Sequence, residues 1–291
     1  MKLNIVRKTK ASIIIAAAVI ALGVLMFFVH GGLNLGIDFT GGSIVTLSFE
    51  QDFKVEDIEE ALNKAEAGEV NIVRSENNQA IIRLKSRPDE ELSQINESML
   101  ATLKEKGYSK AQLAGIDRVG ATTSKELVIN AFISIAIACV LILIYVWARF
   151  ELYSGVCAVL ALIHDVAIML AFVAILNIPI NSSFIAAVLT IVGYSINNTI
   201  LVFDRLRENK KLNPDMKNSD LINKSVDDTL WRSVNTSLTT LITVAALYIF
   251  GVDSIKEFSL PIMVGLIAGT FSSVLLAGQW WNLMKGNAKH A

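Results

Sequence analysis

The sequence predicts a membrane protein with a bundle of six transmembrane helices and a small α+β domain outside the membrane. The first observation is composition: 53% of the 291 residues are hydrophobic and 18% are charged, whereas soluble domains average about 45–50% and about 25%. The second is that six segments are apolar over the roughly 20 residues that a helix needs to cross the hydrocarbon core. The third is that residues 43–119, between the first two of these segments, have the composition of a soluble domain.

The six predicted spans share long apolar runs with few charges. They cover residues 11–29, 127–148, 152–176, 180–203, 231–250 and 259–284. The first span follows a basic segment, as the apolar part of a secretory signal does, but its 19 residues exceed the usual 7–15. We therefore expect the first span to be retained. Cys139 and Cys157 lie inside apolar runs, so we predict unpaired packing cysteines.

The distribution of basic residues predicts the orientation of the bundle. With the N-terminus in the cytoplasm, 14 Lys and Arg residues lie on the inner side, and the two short outer loops contain only Lys256. Cytoplasmic loops carry such an excess, so we expect both termini in the cytoplasm. The predicted division is the N-terminus and first span at 1–30, an outer domain at 31–124, spans two to four at 125–204, a cytoplasmic loop at 205–230, and spans five and six at 231–291.

The outer domain has alternating strand patterns and helical patterns in a regular order. Strands are predicted at 45–49, 70–75, 79–85 and near 110–118, with helices at 55–62 and 92–103. The second and third strands flank a turn at Asn77 and Asn78. The resulting order, βαββαβ, is the ferredoxin-like arrangement. The domain contains no histidine, no cysteine and no tight acidic cluster, which favours binding or mechanical work over a metal or hydrolytic centre.

The segment from Asp204 to Arg232 is polar, with Pro214 near its middle. Leu221, Ile222 and Val226 give its second half a weak amphipathic pattern. This pattern predicts a helical connector at the membrane surface rather than a catalytic domain. The net charge of −1 gives no reason to expect a nucleic-acid partner.

The third span carries His164 and Asp165 near its middle. Ionisable side chains inside a membrane are costly, so they indicate a functional site by default. A packing role for the histidine remains the alternative interpretation.

Three further spans contain polar or small residues. They are Tyr194, Ser195, Asn197, Asn198 and Thr199 in the fourth; Arg232, Asn235, Thr236, Ser237, Thr239 and Thr240 at the start of the fifth; and Gly265, Gly269, Ser272 and Ser273 in the sixth. Hydrogen-bonding contacts between helices, and a snorkelling role for Arg232, are the simpler interpretations. Together these residues predict a polar seam suited to ion or proton passage.

Several motifs resemble one family of membrane proteins. They are GIDFTGG (36–42), AAVLTIVGYSINNTILVFDRLREN (186–209), RSVNTSLTTL (232–241) and FSLPIMVGLIAGTFSS (258–273). In this order they resemble the SecF branch of the SecD/SecF family of bacterial protein-export membrane proteins, and the likeness covers essentially the whole chain.

The resemblance implies a multi-pass subunit of the bacterial cytoplasmic membrane, related to the resistance-nodulation-division transporters. Such a subunit acts with SecD as a twelve-span unit beside the SecYEG translocon. It uses the proton-motive force to promote translocation and outer-side release of preproteins, and it is neither an enzyme nor dependent on a cofactor or metal. The junction residues Gly36, Asp38, Gly41 and Gly42 are expected to form a bend between the first span and the outer domain. A static turn is the alternative.

The resemblance also implies a proton path, with one departure in this chain. The candidates for proton or ion passage are Asp165, His164, Asn197, Asn198, Arg232, Thr236 and Thr240. The family usually has an aspartate at the position of Asn198, and an asparagine cannot titrate. Three explanations stay open: coupling through other acids such as Asp165 or those of SecD, an ion other than the proton, or weak coupling. A second departure is the segment VGATTSKE (119–126), where the family commonly has a VGPxxG-like pattern.

Two rival functions fit the sequence less well. A small-molecule or lipid exporter of the resistance-nodulation-division type would need outer domains large enough to form a substrate pocket, and the outer domain here has only about 80 residues. An intramembrane protease using His164 and Asp165 would need a nucleophile or a second acid at the same depth.

Overall fold

The computed structural model describes residues 5–68, 70–75, 78–85, 87–251 and 253–287. These form two compact units, a helical bundle (Met1–Asn34 with Phe132–Ala291) and an outer domain (Leu35–Ala131). The helices are α1 Ile5–Val29, α2 Ile37–Thr40, α3 Val55–Lys64, α4 Asp89–Glu105, α5 Ala121–Arg149, α6 Leu152–Leu176, α7 Ser182–Leu212, α8 Asn218–Phe250, α9 Asp253–Phe271 and α10 Gly278–Asn287. A π-helical segment, Ser272–Ala277, joins α9 to α10. The strands are β1 Gly42–Ser48, β2 Val70–Ser75, β3 Gln79–Leu84 and β4 Gln112–Val119.

The prediction of six spans is confirmed, because six helices are long and apolar enough to cross a membrane. They are α1, α5, α6, α7, α8 and the continuous helix formed by α9, the π segment and α10. Each predicted span coincides with one of these helices, but several helices extend further than the apolar run. Hydropathy marks only the apolar part of a helix. The backbone hydrogen bonding of the helix continues into polar residues at its ends, so the helix is longer than the apolar run.

The bundle is centred on α6, α7 and α9, which pack against one another. Glycines permit their close approach: a Cβ at Gly265 of α9 would lie 2.5 Å from Ile191 Cγ1 of α7. One at Gly269 would lie 2.9 Å from Ser195 Cβ. Small residues at such positions let membrane helices approach closely, which explains the glycine pattern of the sixth span.

Polar contacts link the α6–α7 connection to the segment that follows α1. Asn177 ends α6 in the left-handed conformation, and the Asn181 side chain caps α7 by accepting a hydrogen bond from the amide of Phe184. The Asn34 side chain, after α1, donates to the Asn177 carbonyl, and the Asn34 carbonyl accepts from the Ile180 amide. The α6–α7 connection is therefore pinned to the segment after α1.

The segment 205–230, predicted to be a helical connector, is helical over most of its length. The α7 helix continues to Leu212 and α8 begins at Asn218, so only residues 213–217 lie outside a helix. The two helical extensions are joined by polar contacts, because Asn209 Nδ2 lies 3.1 Å from Ser225 Oγ and 3.1 Å from Asp228 Oδ2. The connector is thus a pair of packed helix ends, and Leu221, Ile222 and Val226, the amphipathic residues of the prediction, are buried.

The outer domain is a four-stranded antiparallel sheet in the order β2-β3-β1-β4, with α3 and α4 packed on it. The predicted alternation of β1 is confirmed, since Val45, Leu47 and Phe49 are all buried. The side chains of Ile58 and Met99 bring α3 and α4 onto the same core. The predicted turn lies partly outside the described residues, because they exclude Asn77; Asn78 has a left-handed φ of 51°.

Candidate functional site

A carboxylate lies buried at the centre of the bundle, where α6, α7 and the sixth span meet. Asp165 of α6 is 1% exposed. The Ser195 hydroxyl of α7 donates to its Oδ2 at 2.5 Å, and Ser272 Oγ of the π segment lies 3.0 Å from the same oxygen. His164 Nδ1 lies 2.9 Å from the other oxygen, Oδ1. These four residues are called the acid cluster below.

His164 contributes one ring nitrogen, Nδ1, to the acid cluster. Toward an ionised Asp165, which only accepts hydrogen bonds, Nδ1 is the donor of this bond. The buried Nε2 has no hydrogen-bond partner among the described residues. The imidazole ring is flanked by Phe271 in a stacked arrangement and by Trp280 edge-on, with ring centroids 6.2 and 6.5 Å away.

A second polar group links α7, α8 and α9. Asn198, buried on α7, donates from Nδ2 to Ser237 Oγ of α8 at 3.4 Å. Thr270 Oγ1 of α9 lies 2.6 Å from the same Ser237 hydroxyl. We call these three residues the amide cluster. Asn198 follows Ser195 by three residues, so the two clusters lie on adjacent turns of one face of α7.

The remaining predicted path residues do not join either cluster. Asn197, Arg232 and Thr236 are exposed on the surface of the bundle. Within the described part of the chain, the Arg232 side chain has no hydrogen-bond or ion-pair partner. Thr240 is half-buried and contacts the Tyr194 hydroxyl at 3.3 Å. Asn198 and Arg232 are thus not paired in this structure, and the hydrogen bond of Asn198 goes to Ser237 instead.

Sequence reasoning missed the hydroxyl partners of Asp165. The sequence marks Ser195 and Ser272 only as polar or small residues, yet they hold the carboxylate from two other helices. The small residues on α9 are the sequence signal that could have revealed these partners, because Gly269 lets α9 approach Ser195. The π segment beginning at Ser272 is a second signal visible only in the structure, because π-helical turns frequently occur at functional sites.

The junction motif forms a short helix followed by two glycines with positive φ at the start of the first strand. Gly36 caps α2, and Asp38 lies in its single turn. The Ser124 hydroxyl of α5 donates to the Asp38 carbonyl at 3.2 Å. Gly41 and Gly42 have positive φ values of 71° and 147°, which side chains other than glycine rarely adopt.

The geometry gives no support to the protease interpretation. Ser195 is a hydroxyl at the depth of His164 and Asp165, but it donates to the carboxylate and not to the imidazole. A nucleophilic serine needs a base that accepts its proton, and the histidine nitrogen suited to that task, Nε2, contacts no hydroxyl of the described residues. Among the described residues there is also no group of three His, Cys, Asp or Glu side chains that could hold a metal ion.

Comparison with known families gives two matches that together extend over most of the chain. The model of the C-terminal part of the protein export membrane proteins SecD and SecF matches residues 98–287. The SecD/SecF GG motif matches residues 27–52, which include the junction motif. The chain belongs to the SecD/SecF family. The resemblance read from the sequence motifs is thereby confirmed.

Relatives within the SecD/SecF family match over nearly their full length. The protein translocase subunit SecF of Sebaldella termitidis is 38% identical over 283 residues, covering 95% of this chain and 90% of the relative. The subunit of the same name from Calditerrivibrio nitroreducens is 36% identical, covering 97% and 94%.

A solved member of the SecD/SecF family has the same fold. The crystal structure of SecDF, a translocon-associated membrane protein from Thermus thermophilus, aligns with a TM-score of 0.88 at 33% identity. The alignment covers 98% of this chain and 39% of the SecDF chain. This chain therefore spans about two fifths of that protein.

Proposed function

We propose that this chain is the SecF-type subunit of the Sec protein-export machinery. In this role it acts with a SecD chain, uses the proton-motive force and promotes translocation and release of preproteins on the outer side of the membrane. Membership of the SecD/SecF family and full-length relatives named protein translocase subunit SecF support this assignment. The role is one of transport rather than catalysis.

Two observations support a SecD partner: the length of this chain relative to SecDF, and the exposed polar side chains on α7 and α8. The chain matches 39% of a SecDF protein, so a second chain would supply the rest of a comparable unit. The surface of α7 and α8 exposes Asn197, Arg232, Thr236 and Thr239. Polar side chains on a membrane helix face protein or water more readily than lipid. We infer that SecD covers this surface. SecYEG and the translocating preprotein are the further partners that the proposed role requires.

Coupling to the proton-motive force is assigned to the acid cluster, and the buried Asp165 is the observation that carries the proposal. Its carboxylate accepts hydrogen bonds from residues of α6 and α7 and contacts the π segment. Protonation would remove the negative charge that these contacts stabilise and so bias the packing of the three helices. Each charge moved across 100 mV supplies about 2.3 kcal/mol, so a few protons would shift such an equilibrium.

The outer domain is assigned to the ferredoxin-like class and to mechanical or binding work on the preprotein. Its strand order, β2-β3-β1-β4, with one helix after β1 and one after β3, supports this class. The junction motif with its two left-handed glycines is the proposed bend between the bundle and this domain. The excess of basic residues at one end of the bundle supports cytoplasmic termini in the bacterial inner membrane.

The proposal is tested by preprotein release from membrane vesicles containing SecYEG and SecD, with and without an imposed proton gradient. We expect release to require this chain and to increase with the gradient. Release that is unchanged when this chain is omitted contradicts the assignment. A chain that fails to co-purify with SecD contradicts the partner proposal separately.

A further inference from the structure

A cavity of about 430 Å³ opens at the end of the bundle where α5 ends and α6 begins. Its lining includes Arg149, Phe150, Ser154, Arg207, Lys210 and Trp281. All belong to the helical bundle, at the end that we assign to the cytoplasm. Neither cluster of the candidate functional site contributes to this cavity, so it requires a separate explanation.

The cavity has an excess of positive charge. Four cationic side chains lie in or beside it: Arg149, Arg207, Lys210 and Lys285. Two carboxylates oppose these cations. Glu151 is bonded to Lys285 Nζ at 2.5 Å and lies 3.4 Å from Lys210 Nζ. Asp204 lies 3.3 Å from Arg149. The hydrogen bond from Lys285 lowers the pKa of Glu151, so this carboxylate stays ionised at neutral pH. A net charge of about +2 remains.

Arg207 is the least satisfied of these cations. Its Nη1 donates to the Arg149 backbone carbonyl at 3.3 Å, which is the hydrogen bond that the structure gives its side chain. A guanidinium carries five N–H donors in a planar fork that matches a phosphate. Arg207 therefore has donors available for an oxyanion at the mouth of the cavity.

The floor of the cavity is aromatic. Trp281 is 2% exposed, and Lys285 Nζ and Lys210 Nζ lie 4.8 and 5.9 Å from its ring centroid. Arg149 lies over the Phe150 ring at 5.6 Å. These cation–π contacts place three of the charged groups against aromatic rings. The site thus combines a charged rim with an apolar base.

We propose that this cavity binds the phosphate-bearing headgroup of an anionic phospholipid in the cytoplasmic leaflet. Basic pockets between helices on the cytoplasmic side of membrane proteins suit such headgroups. The position at the ends of the spans places the cationic rim at headgroup depth, with apolar helix surface next to the acyl chains. The excess charge of about +2 favours an anionic over a zwitterionic lipid. The inference is independent of the partner and of proton coupling.

The test uses the purified full chain in neutral detergent, with thermal unfolding and native mass spectrometry as readouts. Phosphatidylglycerol is added, and phosphatidylcholine and inorganic phosphate serve as the other probes. We expect phosphatidylglycerol alone to raise the unfolding midpoint and to remain bound in the mass spectrum, because a ligand that binds only the folded state stabilises it.

Matched variants separate this site from general charge attraction. Arg207→Gln/Lys210→Gln is expected to lower the apparent affinity for phosphatidylglycerol about tenfold, which corresponds to about 1.4 kcal/mol of binding free energy. The control Lys211→Gln/Lys217→Gln removes the same charge from exposed positions outside the cavity and should leave the affinity unchanged. If the double variant unfolds, the single variant Arg207→Gln gives the same comparison, because it removes only one hydrogen bond to a backbone carbonyl.

Three results overturn the proposal. An equal decrease of affinity in the cavity variant and the control shows unspecific attraction to charge. An equal effect of phosphatidylcholine shows no selection for anionic lipid. An equal effect of inorganic phosphate shows a site for the free anion rather than for a lipid.

Discussion

Ser195 on α7 donates a hydrogen bond of 2.5 Å to Asp165 Oδ2 on α6. Both side chains are almost completely buried, so the bond joins two membrane helices at the centre of the bundle. Ser272 adds the π segment to the same oxygen. A change in the charge of Asp165 therefore acts on three helices at once, and this relationship is the basis of the first prediction.

Asp165→Asn should reduce gradient-dependent preprotein release by about tenfold or more, because it removes the ionisable group at the centre of the bundle. Asn is close in size to Asp and still accepts the Ser195 hydrogen bond, so folding should be preserved. The matched control is Asp204→Asn, a half-exposed acid on α7 that pairs with Arg149. Release is measured in vesicles with and without a gradient. Equal gradient dependence of both variants and the parent would assign coupling to SecD.

Asn198→Asp should increase gradient-dependent release, since it restores an ionisable group in the amide cluster. The neighbouring substitution Asn197→Asp places the same carboxylate on the exposed face of α7 and is expected to give no gain. The same vesicle assay is used for both variants. A gain of similar size from Asn197→Asp would show that position within the bundle is irrelevant.

Arg232→Leu, added to Asn198→Asp, tests whether Arg232, another candidate of the proton path, interacts with the introduced carboxylate. The structure gives Asn198 a bond to Ser237 and leaves Arg232 exposed. Disappearance of the Asn198→Asp gain in this double variant would show that Arg232 reaches the carboxylate during transport. Retention of the gain is the outcome that the observed geometry favours.

Single cysteines on the exposed face of α7 and α8 should crosslink to a SecD chain. Asn197→Cys and Thr239→Cys are expected to react, in a background with Cys139→Ala and Cys157→Ala. The buried Thr199→Cys is the matched negative control on α7. The products are identified by mass after co-expression with SecD. Crosslinks restricted to lipid or to a second copy of this chain would contradict the heteromeric interface.

Gly42→Ala should destabilise the outer domain by about 1–3 kcal/mol, the usual cost of a side chain in a disfavoured backbone conformation. Gly42 has a φ of +147°, and a Cβ there would lie 2.5 Å from the Leu84 carbonyl oxygen. Gly115→Ala is the control, because a Cβ at that position of β4 meets nothing within 4 Å. Unfolding of the domain is followed in the full chain by limited proteolysis. Similar protection of both variants would contradict the strain argument.

The stability of the outer domain should fall in acid because of one cluster of charges. Lys106 Nζ donates to Asp57 at 2.8 Å and to Glu60 at 2.6 Å, and these bonds lower the pKa of both carboxyls from ordinary values of 3.8 and 4.5. A carboxyl whose pKa is lower in the folded state than in the unfolded state stabilises the folded state. This contribution is complete above the ordinary pKa and is lost as pH falls through the folded-state pKa. We therefore expect the decrease in stability to begin below about pH 4.5.

Hydrogen exchange of α3 and α4 in the full chain measures this effect. In Lys106→Met, protection should fall less between about pH 6 and pH 3 than in the parent. Without the lysine, the carboxyls of Asp57 and Glu60 titrate nearer to their ordinary pKa values, so folding depends less on pH. Lys104→Met, at an exposed lysine two residues earlier, should behave like the parent. An identical acid response in the two variants would show that Lys106 does not set it.

Much of the architecture is predictable from local pattern. The number of spans and the order of strands and helices in the outer domain depend on composition and on periods of two or 3.6 residues. Val45, Leu47 and Phe49 are one example, because alternation alone predicts that they share the buried face. The helical character of residues 205–230 was predictable from their amphipathic pattern. The packing of the two helix ends was not, because the contacts of Asn209 with Ser225 and Asp228 depend on how the helices meet.

The sequence by itself determined the class of the protein, its spans and the presence of a buried acid at Asp165. Only the tertiary structure decided which residues surround that acid. Ser195, Ser272 and His164 meet it because of the rotation and close packing of α6, α7 and α9, which depend on glycine contacts far apart in the chain. The same packing turns Arg232 outward and gives Asn198 a serine partner. Local periodicity fixes which face of a helix is apolar, but contacts between helices depend on how those faces are aligned.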